Sequence, residues 1–457
     1  MQKKVLTSRS LALETLVQWA SSGKPMQGFI NRIIHDSGLK NEERQLAVML
    51  VMGVLREQEY LDIIVSRFSK TKLAKMKPLT LAALRIGVVQ ICCLERIPDS
   101  AAVNETVKAL KKMGQPTWLC SFVNGTLRNI ARNKESIPRP DKAGPGEMPV
   151  LNHPAWLTAR WQKRFGTEQM QAICRVNNLE PALCLQVNQA RTDRVTLAAQ
   201  FAEQGIRTEP GSFALDSLIL PEQRGAVTGL PGFTEGLFQV QDQAARLACE
   251  LLGPFKEQGR YLDGCAGLGG KTCILAALLP HEASLFAVDP DPRRFRLLKE
   301  NLQRQGLAER VNSMQQELQE VAASEQCVSG NLFDGILIDA PCTGTGVIRK
   351  HPDIRWNRQP EDFVASQEQQ LALLRVATTL VKPGGVLVYA TCSLEPEENQ
   401  EVVEQFLAAN DAFALTDCRN FLPEAAASLV DAKGFFAPFP TEEIEGFFAA
   451  RLVRKVS

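Results

Sequence analysis

The chain has 457 residues, of which 45% are hydrophobic and 23% are charged. This length and composition are those of an ordinary soluble globular protein with two or three domains. The formal net charge is only +1, but residues 1–150 hold 23 Lys and Arg against 13 Asp and Glu, whereas the remaining residues hold 29 against 38. The basic front part indicates an anionic partner, most often a nucleic acid, although solvated helix faces would explain the same balance equally well.

Cysteine usage and hydropathy exclude several classes of protein. The 12 cysteines include no Cys-x-x-Cys pair and there are only 4 histidines, so we expect no metal site. Residues 1–20 are interrupted by polar side chains at helical spacing, unlike a signal peptide. The most apolar run, which begins at Leu81, is broken by Arg85 and Gln90 and is not a membrane span. We therefore expect a cytoplasmic monomer with reduced thiols and no membrane partner.

Helical periodicity dominates residues 1–135 and predicts an all-α domain. Apolar residues recur at three- and four-residue spacing over residues 8–20, 42–55, 79–94 and 104–113. Asn124 and Gly125 could form a hairpin turn, but their flanks lack strand alternation, so we predict a helix with a closely packed glycine. The stretch from 133 to 150 is rich in proline and glycine, and we predict a linker over residues 136–150.

A smaller α/β unit is predicted over residues 151–250. A helix leads up to Phe165 and Gly166, and strand-like and helix-like patterns then alternate. The function of this unit does not follow from its pattern alone. Its predicted elements lie at residues 183–187, 196–204, 206–208 and 215–220, followed by a glycine-rich stretch at 229–242.

A βαβ unit opens the last domain, which we predict over residues 251–457. A strand at 261–263 leads into the glycine-rich turn 264–272, a helix to about residue 279, and a strand at 284–288 that ends at Asp289. This pattern is typical of an adenosine-bearing cofactor, because the glycines let the backbone approach it and the carboxylate accepts ribose hydroxyls. A phosphate-binding P-loop would require glycine where Cys265 stands, whereas a nicotinamide dinucleotide is not excluded by the loop alone.

Two further strand-like runs each end in a turn that carries a cysteine. The first, LFDGILIDAPCTGTG, contains Asp339 and Cys342, and the second, VLVYATCS, contains Cys392. Parallel strands deliver their carboxyl ends to one edge of a sheet, where ligands bind. Taken singly, a cysteine at such a position is usually just a buried thiol. Two of them in one sheet predict a site that uses both.

Methylation of a pyrimidine at carbon 5 is a reaction that requires a thiol. That carbon becomes nucleophilic only after a thiolate adds to carbon 6, and the resulting enamine then accepts a methyl group from S-adenosylmethionine. A carboxyl group near the ring nitrogen or exocyclic amine stabilises the developing charge. Loss of the carbon 5 proton finally allows the enzyme–base bond to break. One cysteine can be the nucleophile and the other can assist release.

The motifs IDAPCTGTG and YATCS resemble those of the RNA cytosine-5 methyltransferases of the NOL1/NOP2/Sun family. The segments GVIRKHPDIRW, VKPGGVLVYATCSLEPEEN and GFFAARL match the same family. The N-terminal segments AAVNETV and FVNGTLR look like a NusB-like helical domain, which within the family marks the bacterial enzymes of small-subunit ribosomal RNA. The resemblance covers essentially the whole chain. It implies a NusB-like RNA-binding domain, a small α/β RNA-binding subdomain and a Rossmann-like class I methyltransferase domain.

The resemblance also implies roles for individual residues. Cys392 resembles the nucleophile of the RNA family, Cys342 the thiol that assists product release, and Asp339 a group that contacts the base or the methyl donor; DNA enzymes instead use the Pro-Cys thiol as nucleophile. The implied cofactor is S-adenosylmethionine and the implied partner is small-subunit ribosomal RNA. The implied cofactor contacts are Cys265, Ala266, Gly267, Leu268, Gly269, Gly270, Lys271, Asp289, Glu317 and Asp339.

Two departures from the family pattern concern the cofactor. Gly267 and Leu268 stand where the family has alanine and proline, which gives a looser loop, and Glu317 stands where an aspartate usually meets the adenine end. Neither departure removes a reactive group. The alternative hypothesis is a non-catalytic NusB-like RNA-binding module on a degenerate methyltransferase scaffold. A degenerate enzyme is expected to lose a site cysteine or Asp289, and all of them remain.

A basic cluster follows Cys342 directly. It suits an RNA strand whose phosphates are bound by cations and whose base stacks on Trp356. Packing of Trp356 beneath the sheet is the equally weighted alternative. The cluster consists of Arg349, Lys350, His351, Arg355, Trp356 and Arg358.

Overall fold

A computed structural model describes residues 6–138, 150–223, 226–324 and 332–456. Their contacts divide the chain into two compact units. The helical unit holds the residues up to Leu179 together with Ile348–Asn357, and the second unit holds Glu180–Val347 and Arg358–Ser457. Most of the predicted linker, residues 139–149, lies outside the described residues. The boundaries that the sequence suggests at 135, 150 and 250 therefore stay a prediction.

The helical unit confirms the all-α character predicted for the front of the chain. Each predicted periodic segment is a helix, although the fourth begins at Asp99 and not at residue 104. Among the described ranges, no helix has the length and apolar character needed to cross a membrane. The helices are α1 (Ser8–Ala20), α2 (Gln27–Asp36), α3 (Asn41–Arg56), α4 (Gln58–Phe68), α5 (Pro78–Cys92), α6 (Asp99–Lys112), α7 (Thr117–Arg132) and α8 (Ala155–Asn178).

The prediction of a closely packed glycine in α7 was wrong about its position. Gly125 lies on the exposed face of α7, and a Cβ atom added there would meet no atom within 4 Å. The glycine that allows close packing is Gly87 of α5, where an added Cβ would lie 2.3 Å from Leu127 Cδ1. Helix α5 therefore contacts α7 through a position where only a hydrogen atom fits.

Helix α8 continues past the end that the sequence predicted. Gly166 has a φ of 81° and kinks the helix at the expected place, but the chain resumes helical geometry up to Asn178. The second half is retained because Met170 and Ile173 are buried. Burial of this apolar stripe outweighs the interruption at glycine.

Residues 349–356 of the basic segment after Cys342 belong to the helical unit, whereas Arg358 belongs to the second unit. Arg355 is 0% exposed, and its guanidinium donates to the carbonyls of Asn152 and Asn177, each at 2.8 Å. Trp356 is half-buried and its Nε1 donates to Leu55 O at 2.7 Å. The RNA contacts expected of Arg355 and Trp356 were therefore wrong, and so was the alternative of packing beneath the sheet. Both side chains instead satisfy backbone carbonyls, those of Asn177 and Leu55 at the ends of α8 and α3 and that of Asn152 in the loop before α8.

A small antiparallel sheet opens the second unit and has the order β2-β3-β1-β4. The strand predicted at residues 206–208 lies slightly later, at Glu209–Pro210, because the preceding turn includes Gly205 at a φ of 71°. Helix α9 packs on this sheet through Leu197 and Phe201, both fully buried. The elements are β1 (Leu183–Val187), α9 (Arg194–Glu203), β2 (Glu209–Pro210), β3 (Ser217–Leu220) and β4 (Phe238–Val240).

A mixed seven-stranded sheet forms the core of the second unit. Its order is β10-β11-β9-β8-β5-β6-β7, in which β5 to β9 are parallel to one another, β11 runs antiparallel to β9, and β10 runs antiparallel to β11. The strands are β5 (Arg260–Asp263), β6 (Ser284–Val288), β7 (Val311–Met314), β8 (Phe333–Asp339), β9 (Val381–Thr391), β10 (Phe413–Thr416) and β11 (Phe448–Arg454). The helices are α10 (Gln243–Glu250), α11 (Gly270–Leu278), α12 (Pro292–Gln305), α13 (Leu318–Ala323), α14 (Glu361–Leu380) and α15 (Gln400–Ala408).

The strand order reverses between β5 and β8. From β5 the chain continues outward to β6 and β7, whereas β8 and β9 lie on the other side of β5. Such a reversal opens a crevice at the carboxyl ends of the strands, where open α/β sheets bind ligands. The predicted glycine loop follows β5 and the two predicted cysteine turns follow β8 and β9, so all three meet this edge.

Candidate active site

The loop after β5 requires glycine at several positions. The Gly264 amide donates to Leu337 O at 2.9 Å, and a Cβ added there would lie 2.6 Å from Ile338 Cδ1. Gly269 has a φ of 85° and an added Cβ would lie 2.5 Å from Leu298. Gly267 has a φ of 56°, but nothing lies within 4 Å of an added Cβ. The loop is thus packed on its inner side and open at Gly267, which leaves room for a ligand against the backbone.

Asp289 holds the loop from the end of β6. Its carboxylate is 3% exposed and accepts hydrogen bonds from the amides of Gly267 at 3.0 Å and Asp291 at 2.8 Å. Arg294 Nε donates to the same group at 3.1 Å from a half-exposed side chain. A carboxylate has about four acceptor positions. One position therefore remains for a ligand hydroxyl, and a second becomes free if Arg294 turns away.

Glu317 lies three residues beyond β7. Because β7 pairs in parallel with β6, with Met314 opposite Val288, Glu317 belongs to the same edge of the sheet as Asp289. Its side chain is exposed and forms a capping box with Glu320 at the start of α13. The longer side chain therefore already caps its own helix, which competes with a role at the cofactor.

Lys271 turns away from the loop backbone and pairs with Asp339. Its Nζ lies 2.6 Å from Asp339 Oδ2, and the lysine side chain is 10% exposed. Burial lowers the pKa of Lys271, but attraction to Asp339 and the hydrogen bond between them outweigh this and the pKa is raised. The other Asp339 oxygen, Oδ1, has no hydrogen-bond partner among the described residues and remains available to a ligand.

Cys342 and Cys392 lie together at the ends of β8 and β9. Asp339 pairs with Ala390 in the ladder, and the two sulfur atoms are 3.3 Å apart. Both thiols are partly exposed. A hydrogen bond with Cys392, together with burial, raises the pKa of Cys342 well above its ordinary value. Cys342 therefore keeps its proton at neutral pH and can donate it towards the Cys392 sulfur.

A backbone contact joins the two cysteine turns. The Gly346 amide donates to Cys392 O at 2.9 Å, and the Gly446 amide donates to Gly346 O at 2.9 Å. A Cβ added to Gly346 would lie 2.3 Å from Gly446 O, so no other residue fits there. This close approach explains why glycines occur in both the CTGTG motif and the closing GFFAARL segment.

Sequence reasoning missed a buried acid beside the thiols. Glu398 is 0% exposed and accepts hydrogen bonds from Thr343 and Ser393, the residues that directly follow the two cysteines. Burial raises the pKa of Glu398, although hydrogen bonds from Ser393 and Thr343 oppose the change. The sequence feature that could have indicated Glu398 is the run Pro-Glu-Glu-Asn at residues 396–399, whose carboxylates directly follow a cysteine turn.

The sheet, its glycine turn and its antiparallel β10–β11 edge define a Rossmann-like methyltransferase domain. A family model described as 16S rRNA methyltransferase RsmB/F matches residues 250–453. The NusB family model matches residues 6–132, and a model of the ferredoxin-like domain of RsmF/B-like methyltransferases matches residues 153–228. The predicted arrangement of a NusB-like domain, a small α/β subdomain and a methyltransferase domain is confirmed.

Curated relatives match nearly the whole chain. The probable ribosomal RNA small subunit methyltransferase B of Bacillus subtilis is 34% identical, with 90% of each chain covered. The ribosomal RNA small subunit methyltransferase B of Escherichia coli strain 536 is 32% identical and covers 99% of this chain and 100% of its own. The fold is similar to the crystal structure of PH0851, with a TM-score of 0.76, 23% identity and coverage of 98% and 99%. The chain belongs to the RsmB family of 16S ribosomal RNA methyltransferases.

Proposed function

We propose that this chain methylates carbon 5 of one cytosine in small-subunit ribosomal RNA through a covalent cysteine–cytosine intermediate. The observation that carries this proposal is the pair of thiols, whose sulfur atoms are 3.3 Å apart at the carboxyl ends of adjacent strands. Addition and release at a pyrimidine ring can each use one thiol. The names of the relatives, ribosomal RNA small subunit methyltransferase B, supply the substrate.

S-adenosylmethionine fits the crevice as methyl donor. When bound, it supplies the methyl group as an electrophile on a sulfonium centre. The residues that would hold it are the loop from Cys265 to Lys271, Asp289 and Glu317. The open space at Gly267 and the remaining acceptor positions of Asp289 favour a ligand that bears ribose hydroxyls.

Cys392 is assigned as the nucleophile. After the thiol proton has left to a base or to water, the Cys392 sulfur forms a bond to carbon 6 of the base, and the electron pair of the 5,6 double bond moves to carbon 5, which takes the methyl group. Asp339 Oδ1, held in place because Lys271 binds Oδ2, can accept a hydrogen bond from the exocyclic amine of cytosine. This contact favours cytosine over uracil, which has an acceptor oxygen at that position.

Cys342 is assigned to product release. After the carbon 5 proton has left to a base or to water, the carbon–sulfur bond breaks and restores the double bond. The protonated Cys342 thiol lies against the departing sulfur and can donate a hydrogen bond to it. Donation stabilises the leaving thiolate and makes elimination faster.

The test is to substitute each cysteine separately. Cys342→Ala should methylate RNA but release it slowly, so that a protein–RNA adduct survives denaturing electrophoresis. Cys392→Ala should form no adduct, because no enamine forms without the thiolate. The double variant should resemble Cys392→Ala, since release is irrelevant without addition. Cys92→Ala, which alters a partly exposed thiol of the helical unit, serves as the control and should behave as wild type.

Two results would contradict the assignment. An adduct in Cys392→Ala with none in Cys342→Ala would exchange the roles of the thiols and give the arrangement of the DNA enzymes. Full activity in both variants would rule out covalent catalysis by this pair.

The helical unit is proposed to contribute RNA binding. Helix α7 carries Trp118, which is 65% exposed, together with the exposed cations Arg128 and Arg132, and it contains no carboxylate. Neither arginine has an ion-pair partner among the described residues. An exposed aromatic ring and unpaired cations on one helix suit a single RNA strand, whose bases stack while its phosphates are neutralised. Ribosomal RNA as partner and the free thiols together favour the cytoplasm as the place of action.

A further inference from the structure

One buried carboxyl group connects the two cysteine turns. Glu398 Oε1 accepts a hydrogen bond from the Thr343 amide at 2.8 Å. Glu398 Oε2 accepts hydrogen bonds from Thr343 Oγ1 and Ser393 Oγ, each at 2.5 Å. Thr343 directly follows Cys342, and Ser393 directly follows Cys392. A single side chain therefore holds the residue next to each thiol.

Glu398 is itself held firmly. It ends a short 3-10 turn, Pro396–Glu398, and its backbone carbonyl accepts a hydrogen bond from Tyr389 Oη of β9 at 2.5 Å. Gln370 Nε2 of α14 approaches Oε1 at 3.5 Å. The backbone of Glu398 is thus anchored by β9, and its carboxyl group is contacted from α14.

We propose that Glu398 is a positioning residue that sets the separation of the Cys342 and Cys392 sulfur atoms. The physical basis is that a fully buried carboxyl group must keep its hydrogen-bond partners, because their loss leaves an unsatisfied polar group. Thr343 and Ser393 cannot move apart without losing one of these bonds. The geometric part of this inference needs no catalysis, whereas its catalytic consequence rests on the function proposed above.

A dithiol reagent measures the positioning without any methylation. Phenylarsine oxide reacts with two thiols to form two arsenic–sulfur bonds and releases its oxygen as water, with no change in the oxidation state of sulfur or arsenic. Stable capture requires both sulfur atoms within reach of one arsenic atom, as the 3.3 Å separation provides. Capture is counted by mass spectrometry under competition from a soluble dithiol. Cys342→Ala removes the pair and corrects for binding at other cysteines.

Three variants of the full chain separate positioning from charge and from general effects. Glu398→Leu removes every acceptor and should weaken arsenical capture by about tenfold or more, as removal of a supporting hydrogen-bond partner does at metal sites. Glu398→Gln keeps an acceptor for the Thr343 amide, and both hydroxyls can rotate to accept from its amino group, so its affinity should stay within about threefold of wild type. Glu401→Gln, an exposed acid on α15, is the matched control and should not differ from wild type.

A catalytic measurement on the same variants gives the second readout. Glu398→Leu should lower kcat by about a hundredfold, which is the effect of a small misplacement of reacting groups. Its KM for S-adenosylmethionine should be unchanged, because Glu398 does not contact the glycine loop. Glu398→Gln should restore most of the activity. If Glu398→Leu does not fold, Ser393→Ala removes one of the bonds and should reduce capture and kcat in the same order, to a smaller extent.

The outcomes are distinct. The proposal would be overturned if Glu398→Leu captured the arsenical as well as the wild-type chain does. It would also be overturned if the wild-type chain captured no arsenical. Equal losses in the glutamine and leucine variants would assign the effect to charge and overturn positioning through hydrogen bonds. A wild-type chain that captures the arsenical but methylates no RNA would instead contradict the proposed function, and the arsenical series would still decide the role of Glu398.

Discussion

At the residue scale, the cofactor end of the site depends on what Asp289 already binds. The carboxylate fastens the glycine loop through the Gly267 amide at 3.0 Å and fastens the start of α12 through the Asp291 amide at 2.8 Å. The same residue is therefore a loop anchor and a proposed ribose ligand. Its substitution should affect the cofactor both directly and through the shape of the loop.

Asp289→Ala is expected to weaken S-adenosylmethionine binding by about 1.5–3 kcal/mol, the value of a hydrogen bond to a charged group. Titration calorimetry on the folded variant measures this change. Glu300→Ala, an exposed acid on α12, is the control and should bind the cofactor as wild type does. An unchanged affinity in Asp289→Ala would remove Asp289 from the cofactor site.

At the element scale, the middle of the sheet is held together by Asp334. This residue of β8 accepts hydrogen bonds from the Arg260 amide of β5 at 3.0 Å, from Lys256 Nζ at 2.8 Å and from Lys382 Nζ at 2.6 Å. Burial raises the pKa of Asp334, but the hydrogen bonds from Lys256 and Lys382 outweigh it and lower the pKa to about 2. Three strands are thus linked at the end opposite the active site.

Asp334→Asn should lower the free energy of unfolding at pH 7 by about 1–2 kcal/mol, since a pKa below the unfolded value stabilises the folded state. The folded-state pKa is depressed, so this contribution is present above pH 4 and is lost as the pH falls towards 2. The difference between wild type and variant in urea unfolding should therefore shrink over that range. Asp411→Asn, which alters an exposed acid, is the control. A difference independent of pH would show that the ion pairs are not its cause.

Helix α7 gives a second prediction at this scale, tested in the full chain. Arg128→Ala combined with Arg132→Ala should weaken binding of single-stranded RNA and reduce the salt slope of log affinity by about 1.4, or about 0.7 for each phosphate that an arginine no longer neutralises. Trp118→Ala should weaken binding by about 1–3 kcal/mol, the value of one stacked base, with the slope unchanged.

Arg96→Ala is the control for α7, because Arg96 is an exposed cation of the same unit outside this helix. Fluorescence anisotropy at several salt concentrations measures affinity and slope together. Equal losses of RNA affinity in Arg96→Ala and in the α7 variants would mean that the positive charge of the whole unit attracts RNA, with no specific role for α7. Unchanged binding in the α7 variants would make this face an ordinary solvated surface.

At the scale of the whole molecule, the chain passes twice through its helical unit. Residues 348–357 leave the second unit directly after the Cys342 turn and enter the helical core, where Arg355 is fully buried. Burial lowers the pKa of Arg355, and repulsion from Arg56 adds to the effect. Hydrogen bonds to backbone carbonyls compensate for this unfavourable position. A fragment that ends before residue 348 would lack them.

Arg355→Ala is therefore expected to destabilise the helical unit by about 2–4 kcal/mol, because it leaves a cavity and unsatisfied carbonyls. Hydrogen exchange should show faster exchange at the C-terminal ends of α3 and α8, while the strands of the seven-stranded sheet keep their protection. Arg375→Ala, which changes an exposed cation on α14, should alter neither. Equal loss of protection in both units would contradict a role confined to the helical core.

Local sequence patterns were enough to predict much of the fold and part of the candidate site. Apolar spacing was enough to predict α1, α3, α5 and α6 of the front domain, and the βαβ pattern was enough to predict the glycine turn and Asp289, because both depend on near neighbours in sequence. Two cysteines after two strands were enough to predict a shared edge, since parallel strands end on the same side. The roles of these residues came from resemblance to a family and remain proposals.

Contacts between residues that are distant in sequence decided the features that the sequence did not predict. Trp356 and Arg355 look like nucleic-acid ligands in sequence, but the helical core supplies carbonyls about 200 to 300 residues away in sequence, and burial with these partners is more favourable than exposure. Gly125 resembles a packing glycine, but Gly87 performs that role because it faces Leu127. Glu398 became part of the site only when two strands brought Thr343 and Ser393 to one carboxyl group. Side-chain type is local information, whereas the partner that satisfies a buried polar group is chosen by the tertiary fold.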